Sequence, residues 1–348
     1  MAPDSSLHGH HLGGLKACSP CILRVILASC VFSLLLFALH AQARAESRDF
    51  PGALASLSPA TDVFKQETPA GSLSSPSPSD ALKGTPTVLW RNRIQIPINE
   101  PLVQKYIRFY QGDGRKTFSD TMKKAKGCLP QMTEILESYG VPGEMVLVVF
   151  VESRFEKHAS YRGAGGYWQM LASTARKMGL RVDRYVDERR DPIKSTKAAA
   201  KYLKTLYEQY DSWLLALAAY NAGCGPIAGA ARSCRVKDGE LYGRKLPARS
   251  VVYVSKVLAA VKIMREPEKY GFEFPNYCKP KDFDPVMVKT PLKLEEIAKW
   301  IDVPVSQLQE LNPSLRQDTM PPDSGFALRL PSGTRDKFDL AYEVYSRR

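Results

Sequence analysis

The most constraining stretch of this 348-residue chain is Met145 to Val151, seven consecutive apolar residues that run straight into Glu152. A segment apolar on every side must be buried on every side, as a central strand or as a core helix. Four of the seven are valines, which locally favour a strand. The surrounding segments favour a helix. Gln131 to Tyr139 has helical spacing and meets Gly140, a residue suited to a left-handed helix end. Asp191-Pro192 supplies a cap and a first-turn proline for a helix carrying Ala198, Ala199, Ala200, Leu203 and Leu206. Asp211 or Ser212 caps the next apolar stretch, SWLLALAAYNA, which stops at Gly223. A last helix, from about Arg249 to Met264, places Val254, Val257, Leu258 and Val261 on one face. Strand signals are scarce here. The expected fold class is therefore mainly α, with the 145–151 run as a buried helix.

The first ninety residues have a different character. Lys16 and Arg24 precede a 15-residue apolar run, Val25 to Leu39, and Ala41-Gln42-Ala43 and Ala43-Arg44-Ala45 follow it as small-x-small sites. That layout predicts a secretory signal peptide over residues 1–45. The run is short of the roughly 20 residues that a membrane span needs. Membrane association through a retained N-terminal segment is the weaker alternative, and lipidation at Cys30 is weaker still. Residues 46–90, rich in Ser, Pro and Ala, predict a disordered linker.

Export to the periplasm or cell envelope narrows the chemistry. The net charge of +13 favours an anionic partner. An exported chain meets wall polymer and anionic lipid heads first, so no nucleic-acid partner is expected. Of the five histidines only His158 survives cleavage, which excludes a multi-histidine metal site. Cys128, Cys224, Cys234 and Cys278 lack the paired spacing of a zinc site, and no metal is expected. They are candidates for up to two disulfides, with Cys224 and Cys234 the first pair to test.

A carboxyl group at the end of a buried element has a raised pKa, which suits a general acid. Taken alone, Glu152 is more ordinarily a helix-end glutamate paired with a neighbour such as Arg154. Its company changes that balance. Gly165-Gly166-Tyr167-Trp168-Gln169-Met170 follows, then Ala218-Ala219-Tyr220-Asn221-Ala222-Gly223, then Tyr253 in a helix. Glycines allow close backbone approach to a ligand, and Trp, Gln, Tyr and Asn are residue types that stack on and hydrogen-bond to sugars.

The blocks Val151-Glu152-Ser153, Gly166-Tyr167-Trp168-Gln169, Ala219-Tyr220-Asn221-Ala222-Gly223 with Gly225, and Tyr253-Val254 carry a family resemblance. Together they resemble the catalytic domain of the soluble lytic transglycosylases, which share the goose-type lysozyme fold. Within that family they look closest to the D-type branch of the membrane-bound murein enzymes. The resemblance implies a lysozyme-like helical catalytic domain over residues 91–277. It also implies that Glu152 protonates the glycosidic oxygen of peptidoglycan and then deprotonates the sugar's own C6 hydroxyl, leaving a 1,6-anhydromuramoyl end. Ordinary glycosidases need a second carboxylate; this reaction does not. Ser153, Gln169, Tyr220 and Asn221 are implied to position the glycan, Met170 to line the cleft, and Tyr253 to act near the reacting centre or Glu152. The partner implied is the glycan strand, and no cofactor is called for. Tyr167, Cys224 and a segment from Glu156 to Ala164 about one residue short depart from the family pattern and bear on subsite preference. A hydrolytic muramidase on the same fold and a non-catalytic wall-binding protein are the alternatives.

Beyond residue 285 the pattern shifts to a short strand, Val286 to Lys289, two helical stretches, Leu294 to Ile301 and Val305 to Leu311, and a strand, Phe326 to Leu330. This small β-α-α-β unit over residues 286–332 resembles a LysM domain, which binds N-acetylglucosamine-containing glycan. It has Pro291-Leu292-Lys293 where a Gly-Asp usually stands. Residues 333–348 remain as a C-terminal tail.

Overall fold

In the computed structural model the described residues are 94–232, 246–274, 277, 282–322 and 325–347, and the 145–151 run is helical. The expected signal peptide, the linker, Cys234 and Cys278 lie outside the described residues. Three helices come first: α1 (Pro101–Gln111), α2 (Arg115–Ala125) and α3 (Leu129–Ser138). In α1 the buried residues Val103, Ile107 and Tyr110 form one stripe at helical spacing. Gly140 ends the α3 region with φ of 74°, the left-handed conformation its sequence position predicts. A 3₁₀ turn, Gly143–Val146, then feeds α4 (Leu147–Glu152). Leu147, Val148 and Val149 are fully inaccessible there. Burying such a side chain is worth about 1.5–3 kcal/mol, more than the few tenths by which helix propensity disfavours valine.

Three two-residue strands follow that the sequence does not announce. They are β1 (Ser160–Tyr161), β2 (Ala164–Gly165) and β3 (Met170–Leu171), antiparallel and in that order. Next come α5 (Ala172–Lys177), α6 (Pro192–Tyr210), α7 (Trp213–Ala222), α8 (Cys224–Arg232) and α9 (Ala248–Arg265). Asp191 caps α6, its Oδ1 accepting from the N–H groups of Ile193 and Lys194 at 2.9 and 2.8 Å. Ser212 rather than Asp211 caps α7, accepting from the N–H of Leu215 at 3.3 Å. Asp211 closes α6 instead, in a left-handed conformation. Helix α7 is buried from Leu214 to Ala219 and packs against α6, α8 and α9. The fully buried Glu144 pairs with Arg265 at 2.5 Å and accepts from the N–H of Ile94, tying the first described residues to α9.

A second core is built by β4 (Phe283–Val288), α10 (Leu294–Ile301), α11 (Val305–Leu311) and β5 (Phe326–Pro331), in the expected β-α-α-β order. Strand β4 starts earlier than expected and admits Pro285, which a two-stranded sheet tolerates because every strand is an edge. The segment expected as a tail forms a helix, α12 (Arg335–Ser346). Its Phe338 is buried, stacks on Tyr342 and lies 6.3 Å from the ring of Trp300, so the helix is part of this core.

All the described residues belong to one unit, and a hydrogen-bonded seam joins its two cores. Val186, in the loop before α6, is buried in the second core. The N–H of Asp187 donates to Ser314 O at 2.7 Å, and that of Arg316 to Tyr185 O at 2.8 Å. Arg329 of β5 pairs with the buried Asp191 at 2.6 Å. Replacing Arg329 with Met leaves Asp191 buried with only its two helix N–H partners. The expected cost is about 3 kcal/mol in urea denaturation, with the far-ultraviolet circular dichroism of the folded state unchanged.

Candidate active site

Helix α4 stops at Glu152 because the chain turns sharply there. Arg154 and Phe155 both adopt left-handed conformations, with φ of 53° and 57°. Such conformations cost non-glycine residues about 1–2 kcal/mol each. The burial of Phe155 in the first core offsets part of this. The reversal carries the backbone away and leaves Glu152 half-buried at the helix end.

Glu152 does not pair with Arg154. Its Oε1 accepts a hydrogen bond from the Tyr253 hydroxyl of α9 at 2.8 Å. Burial pushes the Glu152 carboxyl up to about 7, and the Tyr253 hydrogen bond, which favours the charged form, pulls against it. No second carboxylate contributes among the described residues. Both protonation states are therefore populated near neutral pH. Burial, and then the charge of Glu152, hold the phenols of Tyr220 and Tyr253 well above their ordinary value, so both remain O–H donors.

The other predicted site residues divide by what their polar atoms do. The Ser153 hydroxyl donates to Tyr167 O at 2.6 Å, and the Tyr220 hydroxyl donates to Trp168 O at 2.7 Å. These two groups hold the 166–169 turn against α4 and α7 rather than standing open to a ligand. Gln169, with φ of 46°, donates from its side-chain amide to Ala159 O and Gly166 O at 2.9 and 2.8 Å. Met170 packs into the first core, where the resemblance implied a cleft wall. Trp168 is also interior, its Nε1 donating to Thr196 Oγ1 at 2.9 Å, and offers no face to a sugar. Asn221 is exposed on the last turn of α7.

Sequence reasoning missed Arg189. It is buried beside Asp187, with its Nη2 at 2.8 Å from Asp187 Oδ2, and its Nη1 donates to the carbonyls of Gly163 and Met170, both at 2.9 Å. A Cβ on Gly166 would lie 1.9 Å from Arg189 O, and one on Gly165 would lie 3.0 Å from the guanidinium carbon. The close approach that these glycines permit is thus to Arg189, not to a ligand. Only the run RRDP hinted at this, since a buried Arg needs an acid nearby.

No group of three or more His, Cys, Asp or Glu side chains that could hold a metal occurs among the described residues. Cys128 and Cys224 carry free thiols, and Cys234, the other half of the first candidate pair, lies outside the described residues. Burial pushes the Cys128 thiol up to about 12. No helix among the described residues is long and apolar enough to cross a membrane.

Residues 132–242 match the transglycosylase SLT domain, a span that takes in Glu152, the Gly165–Gln169 turn and Tyr220. The chain carries an SLT domain. Residues 282–346 match the LysM-like domain of lytic transglycosylase MltD, a span that includes α12. Membrane-bound lytic murein transglycosylase D of Escherichia coli is 30% identical over 235 residues, 66% of this chain and 51% of that protein. A tributyltin chloride resistance protein from an Alteromonas species, itself a tentative assignment, is 32% identical over 112 residues, 32% of this chain and 54% of its own. The chain spans about half the length of the curated relatives it matches. Among solved structures, an inactive mutant of lytic transglycosylase Slt from Pseudomonas aeruginosa is 20% identical, with a TM-score of 0.31, over 42% of this chain and 25% of its own. The soluble lytic transglycosylase of Escherichia coli is 18% identical, with the same TM-score of 0.31, over 42% and 26%. Tyr253, which holds Glu152, lies beyond the matched span.

Proposed function

We propose that the chain is a cell-envelope peptidoglycan lytic transglycosylase that breaks the β-1,4 bond between N-acetylmuramic acid and N-acetylglucosamine without water. One observation carries the reading. Glu152 is a single half-buried carboxyl, poised near neutrality and held by a phenol rather than by a cation. In its protonated form it donates to the glycosidic oxygen as the bond to the anomeric carbon breaks. The resulting carboxylate, steadied by the Tyr253 hydroxyl, takes the proton of the C6 hydroxyl as that oxygen bonds to the anomeric carbon. The proton given is recovered, and no water is consumed. A general acid works best with a pKa near the working pH, which is the value burial gives this group.

In this reading Tyr253 tunes Glu152, and Asn221 faces the sugar's acetamido groups. Ser153, Tyr220, Gln169 and Met170 act by shaping the turn that borders the site. Residues 1–45 direct export to the periplasm and 46–90 tether the catalytic domain at 91–277. The LysM-like unit holds the glycan.

Mass spectrometry of fragments released from purified peptidoglycan tests the chemistry. Anhydromuramoyl ends are expected, and reducing ends alone would overturn the reading in favour of hydrolysis. Tyr253→Phe removes the bond that favours the charged form of Glu152. The pH at which release falls to half on the alkaline side is then expected to rise by about one to two units, since a hydrogen bond to a charged group is worth about 1.5–3 kcal/mol. An unmoved alkaline limb would remove Tyr253 from this role.

A further inference from the structure

His158 has no part in the reaction above. It stands with Lys157 and Arg190 along one wall of a groove of about 380 Å3 between the SLT domain and the LysM-like unit. Among the described residues neither Lys157 nor His158 has an ion-pair partner, and Arg190 reaches Asp187 only at 3.9 Å. Partial burial, then the charges of Arg190 and Lys157, hold His158 below its ordinary value, so it is a neutral donor and acceptor at pH 7. The facing wall is formed by α11 and the loop after it, and carries Gln309, Gln317, Glu310, Asp318 and Arg316, whose Nη1 donates to Asp183 O at 3.1 Å. Gln309 Nε2 already donates to Asp318 Oδ1 at 2.8 Å. Leu294 and Pro313, both buried, give the groove an apolar base.

The two walls ask for different chemistry. One is cationic, and the other offers amides and acids beside a single guanidinium, Arg316, already turned to the Asp183 carbonyl. The volume is that of a small-molecule or short-peptide site. A neutral sugar uses neither set of charges. A short peptide bearing free carboxylates, backbone amides and an amine uses both, and the peptide substituents of a murein strand have that composition. The spacing of the walls is fixed by the seam, through Asp187 to Ser314 and Asp191 to Arg329. We infer that this groove binds the carboxylate-bearing stem peptide of an uncut strand, with Lys157, His158 and Arg190 on its carboxylates and the Gln309–Gln317 wall on its amides. The inference rests on the transglycosylase reading for its choice of peptide, and it makes the LysM-like unit and the SLT domain joint owners of one site.

Calorimetric titration of the full chain with free stem tetrapeptide, which has no sugar to occupy the Glu152 site, tests it. Binding is expected, and Lys157→Glu should weaken it about tenfold, the loss of one charge-assisted contact. Gln317→Ala removes an amide from the exposed opposite wall and should also weaken it, which keeps the test decisive if the first variant folds poorly. Amidating the peptide's carboxylates should reproduce the loss. Absent binding, or equal affinity in all three proteins, overturns the inference. Digestion of peptide-free glycan separates the two readings. Lys157→Glu should release fragments at the wild-type rate, whereas no release by the wild type would sink the transglycosylase reading and leave the titration to judge the groove.

Discussion

Glutamine in place of Glu152 is expected to reduce fragment release from purified peptidoglycan by about 10²–10⁴-fold, the contribution typical of a positioned acid or base. Glutamine keeps the shape of the side chain and an oxygen to accept the Tyr253 hydroxyl, but it has no proton to give at the glycosidic oxygen. The same change should not destabilise the fold, because a half-buried carboxylate is costly where it stands. The native carboxyl binds its proton more tightly than the unfolded chain does, with a pKa of about 7 against 4.5. Its contribution to stability is therefore full below about 4.5 and is lost as the pH rises through about 7. Urea midpoints of wild type and Glu152→Gln, compared from pH 4 to 8, should shift in favour of the variant across that window. Lost release with an intact fold and this pH-dependent shift would tie the chemistry to Glu152. Equal release from the two proteins would refute the assignment.

What the sequence disclosed follows from how local each signal is. Glu152 stood out because seven apolar neighbours and a helix end are written side by side. Caps were equally local, as Asp191 and Ser212 show. The three-stranded sheet was not legible, because two-residue strands are too short to show alternation. The duties of Ser153 and Tyr220 were legible in place but not in kind. A hydroxyl that donates to a backbone carbonyl 14 or 52 residues away looks, in sequence, like one that faces a ligand. Helix α12 was hidden for a related reason. Phe338 and Tyr342 are four apart among charged residues, and their partner Trp300 lies in a distant helix. The seam between the two cores rests on Arg329 and Asp191, which carry no mark in sequence that they will meet.

Arg189 is the largest such omission, and its replacement carries the largest expected loss of stability. Burial works against the charge of Asp187, and the Arg189 guanidinium overcomes it, holding that carboxyl below its usual range. Arg189→Met strands Asp187, whose side chain is 6% exposed, with Arg190 no nearer than 3.9 Å. Breaking a buried pair from one side costs about 3–5 kcal/mol, a large share of the roughly 5–15 kcal/mol that holds a domain together. Gly163 O and Met170 O lose their donor at the same time, so β1 to β3 lose their anchor to the loop before α6. A second substitution separates these effects. Asp187→Asn with Arg189→Met removes the stranded charge, and most of the lost urea stability should return. The two carbonyls remain without their donor, however, and the turn that carries Gln169 stays loose beside Glu152. Release of fragments should therefore stay low in the double variant, with the loss in kcat rather than in KM. Recovery of both stability and release would mean that Arg189 serves only to neutralise Asp187. Recovery of stability alone would make it a positioning residue for a carboxyl with which it exchanges no proton.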